Sequence, residues 1–138
     1  MHSLQAAAAD FLSHRRLAVA GVSRKGDTAA NGIYRALRDA GYRVFPLNPN
    51  AEEVEGDRCF PTVGAIPGGV DGVIVATHPD VAAEVVRECA LLRVPRVWLH
   101  RSFGQGSVSD EAVELARSEG LDVIDGACPL MFLEPVDL

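Results

Sequence analysis

Positive charge, cysteine and long apolar runs are all scarce in this sequence of 138 residues. Thirteen lysines and arginines stand against nineteen aspartates and glutamates, which gives a formal net charge of −6 at pH 7. Because nucleic acids are bound through cationic faces that neutralise phosphates, this balance argues against a nucleic-acid partner. No apolar run approaches the roughly 20 residues of a membrane-spanning helix, and no basic segment precedes the N-terminal alanines. We therefore expect neither a membrane protein nor a secretory signal peptide.

The cysteine content excludes a framework in which every cysteine is paired, because the number is odd. The three residues are Cys59, Cys89 and Cys128, with no C-x-x-C pair and no metal-ligand spacing among them. This usage is typical of a reduced compartment, so we expect a cytoplasmic protein. Hydrophobic residues make up 48% of the chain and charged residues 23%, which is ordinary for a globular protein. We expect one domain over residues 1–138, long enough to bury a substantial core.

The sequence is rich in apolar runs that alternate with polar turns and amphipathic stretches. Most of the apolar runs are continuous, as expected for strands that are covered on both faces. They predict strands at Leu17–Val22, Arg43–Leu47, Gly72–Ala76, Arg96–Leu99 and Leu121–Ile124, and a weaker extended piece at Arg58–Phe60. The amphipathic stretches predict helices at Leu4–Leu12, Ala29–Ala40, Asp80–Leu92 and Ser109–Glu119. This alternation predicts an α/β fold, a doubly wound parallel sheet between two helical layers.

In such folds, ligands bind at the carboxyl ends of the strands, near the point where strand order reverses. The turn after the first strand contains Gly21, Val22, Ser23, Arg24 and Lys25. Its glycine permits close backbone approach to a ligand, and its cations lie beside a helix start whose amides favour an anion. A dinucleotide-binding G-x-G-x-x-G motif would have glycine in place of Ser23. The turn predicts a phosphate site, and a solvated loop with incidental charges is the competing interpretation.

The second turn, PLNPN, bears on which nucleotide would bind. NAD-binding folds commonly carry an acidic residue after the second strand, where it accepts hydrogen bonds from the ribose. This chain has Asn48 and Pro49 there, and its next carboxylate is Glu52. The missing acid argues against NAD and is compatible with a phosphorylated ribose, whose charge an acid would repel. Asn48 as a simple turn cap is the competing interpretation.

Two histidines follow the third and fourth strands and are candidates for metal binding or acid–base chemistry. Thr77 and His78 precede Pro79–Asp80, a pair that suits the start of a helix and explains much of this turn. The fourth turn contains His100, with Ser102 two residues later. Neither histidine has a carboxylate or cysteine at ligand spacing. We therefore expect no metal site and no catalytic histidine.

The fifth turn, DGACPL, places Cys128 after the last strand. A thiolate beside a helix N-terminus or a cation is activated, so Cys128 is a candidate nucleophile. A small packing residue is the competing interpretation. Cys89 lies on an apolar helical stripe and is expected in the core.

Four segments, taken in order, resemble the small CoA-binding protein family. They are AVAGVSRKGDTAANGIYRALRDAGYRVFPLNPN, GDRCFPTVGAIPGGVDGVIVAT, VWLHRSF and GLDVIDGACP, and together they cover about residues 10–130. The most specific parts are the G-x-S turn at Gly21–Ser23 and the G-Y-x-V-x-P-x-N-P run at Gly41–Pro49. The family is similar in turn to the N-terminal CoA-binding domain of the succinyl-CoA ligase alpha subunit.

This resemblance implies a Rossmann-like sheet with strand order 3-2-1-4-5-6, in which Arg58–Phe60 is the short third strand. It also implies coenzyme A as the ligand, lying across the carboxyl edge. By position, the residues 21–25 would surround the phosphates, and Asn48 and Pro49 would flank the adenosine end. The rest of the ligand would be lined by Ala76, Thr77, His78, Leu99 and His100. Neither histidine matches the phosphohistidine of the ligases, so ligase activity is not expected of this chain alone.

We therefore expect a protein that binds coenzyme A or an acyl-CoA and is not an enzyme by itself. A role in sensing, storage or delivery stays open, as does a protein partner or a homo-oligomer. Three alternatives remain. They are an NAD(P)-binding oxidoreductase, a thiol-dependent enzyme that acts on CoA through Cys128, and an interaction module that has lost its ligand.

Overall fold

The computed structural model of the chain describes residues 3–101 and 108–133, which form seven strands and four α-helices. In chain order the strands are β1 (Arg16–Ala20), β2 (Arg43–Leu47), β3 (Glu53–Val54), β4 (Asp57–Arg58), β5 (Gly72–Val75), β6 (Arg96–Leu99) and β7 (Asp122–Asp125). The helices are α1 (Leu4–Ser13), α2 (Ala29–Asp39), α3 (Pro79–Leu91) and α4 (Asp110–Ser118), with short 3-10 turns at Val63–Ala65 and Pro129–Met131. Within these residues, no helix combines the length and apolar character needed to cross a membrane.

Five of the strands form one parallel sheet in the order β2-β1-β5-β6-β7. Successive side chains point to opposite faces, so each strand contributes to two cores. Leu17, Val19, Ile74 and Trp98 are buried with residues of α1 and α2 on one face. Ala18, Val73, Val75 and Leu99 are buried with residues of α3 and α4 on the other. The doubly wound α/β class predicted from the sequence is confirmed, and strand order reverses between β1 and β5.

The predicted third strand, Arg58–Phe60, differs from its prediction. Its first residue belongs to β4, which pairs antiparallel with β3 in a separate two-stranded sheet. Phe60 forms an isolated parallel bridge with Leu47 at the end of β2. The expected strand order 3-2-1-4-5-6 is therefore wrong in this detail, because a single bridge stands where the third strand was expected.

Local backbone chemistry explains why no third strand forms. Glu55 and Gly56 have φ of 53° and 79°, the left-handed values of a tight hairpin turn, so the chain folds back on itself there. Beyond Phe60, Pro61 has no N–H with which to continue pairing. The chain therefore has room for one bridge between the hairpin and the proline.

The outer side of β2 is shaped by Pro46 and Phe60. In a parallel strand, alternate residues direct their backbone groups to opposite sides, and Arg43 and Leu47 bond inward toward the β1 segment. Pro46 faces outward and lacks an N–H, and its carbonyl accepts from Phe60 N at 2.9 Å. The carbonyl of Phe60 then accepts from Asn48 N at 3.0 Å. This bridge fixes the chain where the second turn begins.

The remaining predicted elements are displaced by no more than two residues at either end. The largest displacement is at β1, which ends at Ala20 because Gly21 has a φ of +104° and leaves the extended conformation. At the other end of this turn, Thr28 begins α2, and its hydroxyl accepts from Asn31 N at 3.2 Å. The first turn therefore runs from Gly21 to Thr28, between a strand end and a capped helix.

Candidate functional site

The turns that follow the five parallel strands lie side by side at the carboxyl edge of the sheet. Backbone hydrogen bonds of 2.9–3.2 Å join them: Gly21 N donates to Leu47 O, Ala76 N to Ala20 O, His100 N to Val75 O, and Gly126 N to Leu99 O. Strands that run in the same direction end at the same edge, so the turns meet there as the sequence predicts. The edge is therefore one continuous surface.

Gly21 brings the first and third turns as close together as backbone atoms allow. A Cβ atom built on Gly21 would lie 2.4 Å from the carbonyl oxygen of Ala76, which is inside any real Cβ contact. The backbone of Gly21 also has a φ of +104°. The contact with Ala76 and this φ therefore each favour glycine over any other residue at this position. The next residue, Val22, is completely buried, and its carbonyl accepts from the side-chain amide of Asn48.

Ser23 is held by the side chain of Asn31, a fully buried amide in the first turn of α2. Ser23 N donates to Asn31 Oδ1, and Asn31 Nδ2 donates to Ser23 O, both at 2.8 Å. The Thr28 hydroxyl donates to the same Oδ1 at 2.5 Å. One amide thus fixes both backbone groups of Ser23. The hydroxyl of Ser23 accepts from Lys25 N at 3.1 Å.

Arg24 and Lys25 are exposed and lie between Gly21 and the N-terminus of α2. The first turn of α2 contains no acidic residue, although Asp27 precedes it in an exposed position. The partial positive charge of the helix N-terminus adds to that of the two cations. An anion bound here would meet the two cationic side chains and the positive end of the helix dipole together.

Asn48 connects the second turn to the first. Its Nδ2 donates to Val22 O at 3.0 Å, and its Oδ1 accepts from Asn50 N at 2.8 Å. The second bond is the local turn cap that the competing interpretation describes, and the first is a long-range bond that the sequence did not predict. Pro49 lies between Asn48 and Asn50 and is exposed.

A groove of about 520 Å³ opens beside these turns, between the sheet edge and α3. Four of the predicted site residues line it, namely Gly21, Asn48, Pro49 and Thr77. The other lining residues are Ala20, Leu47, Pro61, Thr62, Val81, Glu84, Val85, Arg87, Glu88 and Leu91. Val81 is 44% exposed and Leu91 79% exposed, so the groove has an apolar wall that water reaches.

The other predicted residues lie along the same edge but outside this groove. His78 is exposed and caps α3, since its Nδ1 accepts from Asp80 N at 3.3 Å. The side chain of Leu99 is fully buried in the core. His100 is buried, and burial lowers its pKa because the charged ring would be poorly solvated. Ala76 is half-buried between the first and fourth turns.

Over residues 3–101 and 108–133, no three histidine, cysteine or acidic side chains gather into a group that could hold a metal ion. Ser102, which the sequence placed in the fourth turn, lies outside the described residues.

The three cysteines differ in their surroundings. Cys128 is half-buried and packs against the core on the α1 and α2 face. Cys89 is fully buried, and burial raises the pKa of its thiol to about 12. Burial also raises the pKa of Cys59, whose Sγ donates to Asn48 O at 3.7 Å. Cys128 is therefore the most accessible of the three thiols.

Sequence reasoning missed the residues that hold the first turn in place, chiefly Asn31, Arg35 and Glu55. Asn31 and Arg35 lie four residues apart on α2, beside its apolar stripe, and this spacing was the available signal. Glu55 lies at the tip of a hairpin whose strands have two residues each, too short for a periodic pattern.

Comparison with known proteins shows to which family the chain belongs. Residues 15–134 match a family model described as a CoA binding domain. The uncharacterized protein YneT of Bacillus subtilis is 30% identical over 114 residues, which are 83% of this chain and 82% of that protein. A hypothetical protein from Pyrococcus horikoshii has a solved structure that matches with a TM-score of 0.85 at 26% identity. That match covers 95% of this chain and 89% of the other.

An ADP-forming acetate–CoA ligase matches over part of its length. The alpha subunit of acetate–CoA ligase II from Pyrococcus furiosus is 28% identical over 126 residues. The matched region is 86% of this chain but 27% of that subunit, so this chain spans about a quarter of the ligase subunit.

Proposed function

We propose that this chain, which belongs to the CoA-binding domain family, binds coenzyme A or an acyl-CoA at the carboxyl edge of its parallel sheet. The family membership confirms the resemblance that the sequence motifs carry. The observation that most supports this position is the close approach of Gly21 to Ala76, next to the groove bounded by Asn48 and Pro49. Coenzyme A combines phosphates with an adenine base, and it therefore needs an anion-binding turn beside an apolar slot.

In this proposal the phosphates lie against the turn from Gly21 to Lys25. Gly21 lets the first turn pack directly against the third, and Arg24 and Lys25 supply charge-assisted hydrogen bonds. The N-terminus of α2 adds its dipole. The pantetheine arm then crosses the third and fourth turns, past Ala76–His78 toward Leu99 and His100. Leu99 is completely buried and its carbonyl accepts from Gly126 N, so it supports this part of the edge from within the core.

The adenosine end lies in the groove between Asn48, Pro49 and α3. Its volume of about 520 Å³ falls within the range of roughly 300–1,000 Å³ found for small-molecule sites. Val81 and Val85 supply an apolar wall for the flat base. PLNPN supplies no carboxylate for two free ribose hydroxyls, and a ribose phosphate in this groove would have to meet Arg87 rather than Glu84 and Glu88, which line it as well.

We propose a binding role rather than chemistry on the thioester. The two histidines at this edge have structural roles. His78 caps α3, and His100 is buried, which lowers its pKa. A nucleophilic role for Cys128 needs a group that activates its thiol. A carrier or sensor of CoA requires only the binding surface.

The test is calorimetric titration of the purified chain with CoA, dephospho-CoA and NAD, followed by charge reversal. Charge-assisted hydrogen bonds contribute about 1.5–3 kcal/mol each, so R24E/K25E is expected to weaken CoA binding by at least about tenfold. The matched control is R15E/R43E, which makes the same charge change at the amino edge of the sheet, where both arginines are exposed. The control is expected to bind CoA as the wild type does.

Saturable CoA binding that weakens without the 3′-phosphate, with no response to NAD, would support the proposal. Wild-type protein that ignores every CoA species would overturn it. Saturation by NAD instead would favour the NAD(P) alternative.

A further inference from the structure

A single carboxylate, that of Glu55, supports the first turn at two points, Ser23 and Gly26, through two side chains of α2. Its Oε2 accepts from Asn31 Nδ2 and from Arg35 Nη1, both at 2.7 Å. Asn31 in turn fixes both backbone groups of Ser23. Arg35 donates from the same Nη1 to Gly26 O at 3.1 Å. The two donors therefore connect one oxygen atom to two separate points of the turn.

The amide of Asn31 has no rotational freedom in this arrangement. Its oxygen accepts from Ser23 N and the Thr28 hydroxyl, while its nitrogen donates to Ser23 O and Glu55 Oε2. These four bonds use its whole hydrogen-bonding capacity in a fully buried site. Without an acceptor at the position of Oε2, one N–H would be left without its partner, and the amide would reorient or admit water.

Contacts that do not involve the carboxylate of Glu55 also dock the hairpin onto α2. Arg38 Nη1 donates to the backbone carbonyl of Glu55 at 2.7 Å and to Asp57 Oδ2 at 2.8 Å. The hydroxyl of Tyr34 also donates to Asp57 Oδ2, at 2.6 Å. These bonds do not use the side chain of Glu55, so they are expected to remain when it is shortened, and the docking of the hairpin can be separated from the support of the first turn.

We propose that Glu55 is a positioning residue of the CoA site, which sets the phosphate-binding turn through Asn31 and Arg35. The inference rests on the proposed function, because it assigns a purpose to the rigidity of the turn. In this proposal the hairpin stabilises the turn from outside and holds Ser23 and Gly26 at the spacing that the ligand phosphates require. Because the turn is ordered before the ligand binds, no binding free energy is lost in ordering it.

The experiment compares three variants of the hairpin. E55A removes the shared acceptor, and E55Q can keep it, because the glutamine carbonyl oxygen can take the place of Oε2 for both donors. E53A is the matched control, since Glu53 is exposed on the same hairpin and loses the same charge. The measurements are CoA affinity by calorimetry, free energy of unfolding in urea, and the amide resonance of Ser23 in ligand-free protein.

We expect E55A to weaken CoA binding by about tenfold, since one charged hydrogen-bond network is lost, while the protein stays folded. E55Q is expected to recover most of that affinity, and the Ser23 resonance is expected to move in E55A far more than in E55Q. E53A is expected to match the wild type in all three measurements.

Wild-type CoA affinity in E55A, with the protein folded, would overturn the positioning role and leave the proposed function intact. An E55Q variant as weak as E55A would also overturn it, because the negative charge and not the shared acceptor would then matter. If the wild type does not bind CoA at all, the proposed function is wrong. The Ser23 resonance of the ligand-free variants then still tests whether Glu55 positions the first turn.

Discussion

Replacement of Gly21 by alanine is expected to damage stability and ligand binding together. Gly21 has a φ of +104°, where a side chain costs about 1–2 kcal/mol. The added Cβ would lie 2.4 Å from Ala76 O, so the backbone of one turn must move. Overpacking of this kind costs about 1–3 kcal/mol, and we expect the free energy of unfolding to fall by about 2–5 kcal/mol in all. Domains are stable by about 5–15 kcal/mol, so the variant is expected to fold unless the wild type lies at the lower end of this range.

The matched control for this variant is G41A. Gly41 also has a positive φ, +91°, but a Cβ built there meets no atom within 4 Å. Gly41 lies between the end of α2 and the start of β2, at the amino edge of the sheet. This edge is opposite the proposed site. We expect G41A to lose about 1–2 kcal/mol through backbone strain alone and to bind CoA like the wild type.

Urea unfolding followed by tryptophan fluorescence measures the stability of both variants. Trp98 suits this purpose because it is the only tryptophan in the sequence, is fully buried, and donates from Nε1 to Gly126 O at 3.0 Å. Calorimetric titration with CoA gives the affinities. If G21A bound CoA as tightly as G41A, or lost no more stability than G41A, the close approach to Ala76 would have no role in the site.

Two further predictions concern titratable groups. The pKa of Asp57 is lowered, first by the hydrogen bond from the Tyr34 hydroxyl and then by Arg38. The stability that Asp57 contributes is therefore present above the ordinary aspartate pKa of about 3.9 and is lost as the pH falls below it. Urea midpoints at pH 7 and about pH 3 should therefore differ less in D57N than in the wild type, and an equal difference would contradict this account. Thiol labelling with a disulfide reagent at about pH 8 should modify Cys128 well before Cys89, whose pKa burial raises to about 12. The fast phase should vanish in C128S, and a fast phase that persists would assign it to another thiol.

Most of the fold could be predicted from the sequence because each long element carries its own signal. The continuous apolar run at β1 and the amphipathic pattern of α2 need no tertiary information to be recognised. The carboxyl edge follows from parallel pairing alone, which explains why the turns at Gly21 and Asn48 were placed together correctly. Whether the side chains named there contact CoA stays a prediction.

The support of the first turn could not be predicted, because it depends on contacts between residues distant in the sequence. Asn31 and Glu55 are separated by 24 residues, and a hairpin with two-residue strands has no hydrophobic period. The same hairpin explains the wrong strand order. The pattern at Arg58–Phe60 is extended, but the left-handed conformation of Glu55 is a property of the folded turn that composition does not indicate.

The single bridge at Phe60 has a consequence for how the protein behaves in a crowded solution. An open sheet edge is a template on which strands of other molecules can add, and it is a common start of aggregation. At the end of β2 the outward carbonyl of Pro46 and the N–H of Asn48 are already occupied by Phe60, and the proline offers no donor. The bridge that replaces a sixth strand thus leaves these backbone groups unavailable for pairing with a strand of another molecule.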